Sequence, residues 1–102
     1  MKRSKQLEKA VKDFLDVKGI KYHRVEIYRC PKCHMVFNTQ AADMPDFLCL
    51  YPLVAIECKT GTGRLSEGQK ETLSLLERSG VDVIVLRDTI DELIEYFEGK
   101  EL

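Results

Sequence analysis

The chain has 102 residues, 44% of them hydrophobic, with 16 Lys or Arg against 17 Asp or Glu and a formal net charge of −1. That size predicts one domain, residues 1–102, with a single core. The near-neutral charge argues against tight, nonspecific nucleic-acid binding by a monomer, and no apolar run is long enough to cross a membrane.

In chain order, Leu7, Val11, Phe14 and Leu15 recur at helical spacing, which predicts an amphipathic helix over residues 4–18 with Ser4 as its cap and Gly19 as its stop. Tyr22 to Arg29 alternates and predicts a strand. Residues 30–43 form an irregular, Cys-containing loop. Phe47 to Leu50 and Leu53 to Lys59 make a hairpin whose apolar content suits central, two-sided burial. Ser66 starts a second helix that carries Leu73, Leu75 and Leu76 inward and ends at Gly80. Val81 to Leu86 predicts a buried strand, and Asp88 is placed to cap a last helix with Ile90, Leu93, Ile94 and Phe97. A helix between the third and fourth strands implies a crossover. The expected fold is therefore α/β, with a mixed sheet that pairs antiparallel first and parallel later.

Charge is unevenly placed, with ten Lys or Arg against four acids in residues 1–40 and six against thirteen in the remainder. The basic part can face phosphates, although a solvated helix face is the commoner meaning of Lys2, Arg3, Lys5, Lys9 and Lys12. Four cysteines without a signal-peptide pattern favour free thiols or a metal site over disulfides, and a soluble, cytoplasmic protein of cellular, viral or phage origin. Cys49 and Cys58 stand too far apart along the hairpin to bridge. Cys30-Pro31-Lys32-Cys33-His34 resembles one zinc knuckle. Cys30, Cys33 and either His34 or His23 are the candidate ligands, short of the four a structural zinc normally takes; free thiols are the competing reading.

The chemistry concentrates in the hairpin. Any even-length turn that pairs Cys49 with Val54 also sets Asp46 opposite Glu57, and Lys59 shares the face of Glu57 while Cys58 points the other way. Like charges facing each other across two strands are destabilising. Something positive should complete the pair, either Lys59 or a hard divalent cation. The competing reading is a turn-ending Asp46 with an ordinary solvent-facing Glu57 and Lys59.

Glu8, Pro45-Asp46, Glu57-Cys58-Lys59, Leu65-Ser66 and Gln69, in that order, resemble the VRR-NUC nucleases, the virus-type replication-repair branch of the PD-(D/E)xK phosphodiesterases. The resemblance is patchy over residues 4–28 and close over 44–87. Two features depart from the family: Asp43 stands where a glycine is usual two residues before the proline, and the 30–43 loop is its own. The resemblance implies a restriction-endonuclease-like αβββαβ core with a C-terminal helix. It further implies a Mg²⁺- or Mn²⁺-dependent endonuclease acting on DNA, selective for branched or Holliday-junction structures, in DNA repair, and working as a homodimer. Asp46, Glu57 and the Cys58 carbonyl would be metal ligands, and Glu8 would hold a second metal or a metal-bound water. Lys59 would orient the nucleophilic water or stabilise phosphate charge, with Gln69 positioning Lys59 or substrate. For Glu8, an exposed pair with Lys12 at i+4 is the plainer alternative. The Thr60 to Arg64 loop could approach a DNA backbone or be a simple connection. The reading from a different class is a non-catalytic nucleic-acid-binding or zinc-linked assembly module that keeps the nuclease fold.

Overall fold

The computed structural model describes residues 3–25, 31–33 and 43–99. Among the described residues seven elements follow one another as α1 (Arg3–Lys18), β1 (Tyr22–Arg24), β2 (Phe47–Leu50), β3 (Leu53–Lys59), α2 (Glu67–Arg78), β4 (Asp82–Arg87) and α3 (Asp91–Glu98). The fold is mixed α+β, with four strands in the order β1-β2-β3-β4. The β1–β2 and β2–β3 pairings are antiparallel, while β3 and β4 run parallel. A parallel pair needs a crossover, and α2 supplies it.

Five consecutive β3 residues, Val54 to Cys58, are buried. A strand alternates its side chains between two faces, so such a run requires cover on both. On one face Phe47, Cys49, Val54, Ile56, Cys58, Ile84 and Leu86 join Leu7, Val11 and Leu15 of α1 and Leu93 and Phe97 of α3 in one hydrophobic cluster. Phe14 and Phe97 bring the two helices together there, with ring centroids 5.7 Å apart. Over the other face lies α2, where Leu73 is buried and Gln69 reaches Lys59. Both α1 and α2 are followed by a glycine with positive φ, Gly19 at 72° and Gly80 at 93°, conformations that a side chain would strain. Ile20 N–H to Leu15 O and Val81 N–H to Leu76 O close these helix ends at 3.0 Å each.

Several local expectations are corrected. Ser4 lies within α1, which starts at Arg3, rather than before it. Of the strand expected over 22–29, β1 spans Tyr22–Arg24, and residues 26–29 lie outside the described residues. β4 is an edge strand, so Asp82 and Arg87 are exposed and only Ile84 and Leu86 are buried along it. Asp88 does not cap α3: its φ is 66° and its Oδ1 accepts the Gly61 N–H at 2.8 Å, while Ile90 holds the N-cap position without a side-chain bond. Among the described residues no helix is long and apolar enough to cross a membrane.

Within α2, Leu73 is buried but Leu75 is 50% exposed. Helical spacing explains this, since residues two apart cannot share a face. Leu73→Ala should therefore cost about 2–5 kcal/mol in a denaturant titration, and Leu75→Ala about 0.5 kcal/mol or less. Equal losses at the two positions would mean that α2 is rotated on the sheet.

Candidate active site

The β2–β3 register runs Phe47↔Ile56, Leu48↔Ala55 and Cys49↔Val54. One further step sets Asp46 opposite Glu57, on the face covered by α2. Asp46 is fixed through its backbone and its side chain: its carbonyl accepts the Val25 N–H at 2.9 Å, and its Oδ2 accepts the Cys58 N–H at 2.7 Å. Pro45, fully buried just before it, anchors the approach. Glu57 is only 3% exposed, and its Oε2 is buried without a hydrogen-bond partner. Such an orphaned oxygen is costly in a protein interior.

The electrostatics agree with that geometry. Burial, then hydrogen bonding to Asp46 and the charge of Asp46, push the Glu57 carboxyl up to about 8, against the opposing pull of Lys59 and the Cys58 N–H. The pair shares more negative charge than its surroundings neutralise. Cys58 is no thiolate candidate, because burial first and then the charges of Asp46, Glu8 and Glu57 raise its thiol far above the usual range. Burial alone raises Cys49 to about 11.

Of the two partners the resemblance allows Gln69, Lys59 or substrate, the structure shows the contact with Lys59. Lys59 Nζ donates to Gln69 Oε1 at 3.0 Å. The same Oε1 accepts the Ser66 N–H at 2.9 Å, and Ser66 Oγ accepts the Gln69 N–H at 3.1 Å. This reciprocal capping box starts α2 and fixes the amide that holds the lysine. Asp43 also finds its place here. A Cβ on Gly68, in the first turn of α2, would lie 2.5 Å from an Asp43 carboxylate oxygen. An acid is accommodated before Pro45 because a glycine faces it from the helix.

Glu8 departs from expectation. Its Oε1 accepts from Arg24 Nη2 at 2.8 Å, while Lys12 pairs with Asp16 at 2.7 Å, so the Glu8–Lys12 pair is not made. Arg24 also lies over the Phe47 ring, 5.6 Å from its centroid. Strand alternation puts Arg24 on one face with Tyr22, but its partners follow only from the β1–β2 register. Among the described residues, no group of three or more His, Cys, Asp or Glu converges as a metal site. Asp46 and Glu57 come together, and Glu8 stays with Arg24. Of the proposed zinc ligands, Cys33 is an exposed free thiol and His23 is exposed on β1; Cys30 and His34 lie outside the described residues.

The raised Glu57 carboxyl sets the sign of a pH dependence. The folded protein keeps this proton up to about pH 8, whereas an unfolded glutamate releases it near 4.5. The folded state then binds more protons through that window, so stability is fully present below 4.5 and falls as pH rises toward 8. A tenfold difference in proton affinity between the two states corresponds to about 1.4 kcal/mol. Thermal melts from pH 4.5 to 8 without divalent cations should show the decline, and Glu57→Gln should flatten it and raise the melting temperature at the alkaline end. A variant that melts with the wild-type slope would assign the pH dependence to other groups.

Comparison of the chain with protein-family models, with curated proteins and with solved structures finds no match.

Proposed function

We propose that this protein is a Mg²⁺- or Mn²⁺-dependent nuclease that hydrolyses DNA phosphodiester bonds, with selectivity for branched DNA as the resemblance to VRR-NUC nucleases implies. The observation that carries the reading is Glu57: a carboxylate buried beside a second carboxylate, with one oxygen left without a partner. A hard divalent cation answers both the charge and the unpartnered oxygen. Asp46, Glu57 and the Cys58 carbonyl are the groups that would hold it.

A bound cation of this kind supplies Lewis acidity at the phosphate and lowers the pKa of water. The chain's own residues do the rest. Asp46 is kept in position by the Cys58 N–H, so the carboxylate pair is built before any ligand arrives. Lys59, on the face of Glu57 and held by Gln69, places an ammonium where negative charge grows on the phosphoryl oxygens in the transition state. Gln69 acts through Lys59 and is a positioning residue. Glu8 is held by Arg24 through Oε1, which orients the carboxylate that the resemblance assigns to a second metal or a metal-bound water.

Cleavage of labelled four-way junction, flap and linear duplex with Mn²⁺ tests the reading. Asp46→Asn should nearly abolish turnover and Lys59→Ala should lower it by about 10²–10³, while Gln69→Ala should cost about 10–100-fold, as for outer-shell partners of a metal site. Mn²⁺ should also raise the melting temperature of the wild type and not of Glu57→Gln, because a ligand bound only by the folded state stabilises it. Wild-type protein that binds DNA without cutting it would leave the non-catalytic binding module instead.

A further inference from the structure

The turn that follows Lys59 is tied down more firmly than a connection needs. Gly63 N–H closes it onto Thr60 O at 3.0 Å, and Asp88 N–H reaches Lys59 O at 3.0 Å. Both backbone polar groups of Gly61 are also taken by β4 and the residue after it: its N–H donates to Asp88 Oδ1 at 2.8 Å, and its carbonyl accepts from Arg87 Nη1 at 2.8 Å. Asp88 adopts a left-handed φ of 66° to make its bond. A non-glycine residue holds that conformation at a cost, and such strain persists where the surroundings over-determine it.

What the tether presents is a cationic, hydrogen-bonding turn. Thr62 and Arg64 are exposed, and Thr60 is half-buried. Thr60 to Arg64 contains Arg64 and no acid, and Arg87 and Asp88, which tether it, cancel in charge, so the turn is cationic by one in a chain whose formal net charge is −1. With the Gly61 and Gly63 N–H groups already used, the Thr62 hydroxyl and the Arg64 guanidinium are the exposed side-chain donors it offers, both of kinds that proteins direct at phosphate oxygens. The turn also follows directly on Lys59, the last residue of the strand that carries Glu57.

We propose that the Thr60–Arg64 turn is a preorganised contact for a nucleic-acid phosphate, with Arg64 as its cation and Asp88 as the positioning residue that holds the turn in shape. The inference rests on the reading that this chain acts on nucleic acid. It does not depend on cleavage.

Binding of a fluorescein-labelled DNA duplex, measured by anisotropy over a salt series without divalent cations, tests it alongside amide exchange at Gly61. Arg64→Gln should reduce the slope of log affinity against log salt by about one, the signature of one lost phosphate contact. Asp88→Gly and Asp88→Asn each remove one negative charge, but only asparagine keeps an acceptor for Gly61. Gly61 exchange should therefore accelerate in Asp88→Gly and not in Asp88→Asn, with Asp88→Gly binding DNA roughly three- to tenfold more weakly than Asp88→Asn, the worth of one net hydrogen bond. A wild-type salt slope for Arg64→Gln, equal behaviour of the two Asp88 variants, or a wild type that binds no DNA would overturn the proposal. Mn²⁺-dependent cleavage with an unchanged slope would remove this inference alone, whereas an Arg64-dependent slope without cleavage would remove the nuclease reading and leave it standing.

Discussion

The arrangement of this domain depends on one constraint, the burial of Glu57 beside Asp46 in a strand covered on both faces. An isolated ionised carboxylate in such a place is untenable, so the group either keeps its proton or gains a cation. The raised proton affinity of Glu57 is the first solution, and it is the one available to the chain by itself. Lys59, two residues along the same face, only partly offsets the charge, because burial and Asp46 together outweigh its pull on Glu57. Among the described residues no donor reaches Glu57 Oε2.

Each neighbouring element then serves to keep the two carboxylates from relaxing apart. The Cys58 N–H holds Asp46 across the hairpin, and the Val25 N–H holds its backbone from the end of β1. The capping box of α2 secures Gln69, and through it Lys59. The crossover that makes β3 and β4 parallel is what carries α2 over this face. Topology and site are thus the same fact seen at two scales: without the crossover, the second helix could not bring its first turn to the end of β3.

Much of this is legible in the sequence because it follows from periods and register. The element order, the mixed sheet and the opposition of Asp46 and Glu57 all descend from alternation in two short runs and one turn. Lys59 and Gln69 are paired by the resemblance, and the capping pattern Ser66-Glu67-Gly68-Gln69 marks the helix start that joins them. What stays hidden depends on contacts between residues far apart in the chain. Arg24 meets Glu8 only once β1 is laid beside β2. Asp43 meets Gly68 only once the residues before Pro45 dock on α2. Asp88 carries a helix-cap signal, yet its carboxylate goes to Gly61, and the first N–H of α3, that of Asp91, reaches Thr89 Oγ1 at 3.5 Å instead. Leu75 shows the simplest failure, an apolar residue counted inward although its position on the helix turns it to solvent.

These long-range contacts share a location. The hydrogen bonds of Asp88 and Arg87 with Gly61, of Lys59 with Gln69 and of Cys58 with Asp46 all lie where β2 begins or β3 and β4 end, where the missing Cβ of Gly68 also leaves room for Asp43. The opposite end of the sheet has ties of its own, Tyr96 Oη donating to Asp82 Oδ2 at 2.6 Å and Leu50 N–H to Lys21 O at 2.9 Å, beside Leu50, Tyr51 and Leu53 exposed around a tight turn. A core alone would hold the strands without any of these polar ties, since the hydrophobic cluster already joins α1, α3 and the sheet. At the end that carries Glu57 these ties fix the backbone of Asp46 and the amide of Gln69, so the domain keeps a buried acid beside a second carboxylate that its own neighbours hold in place.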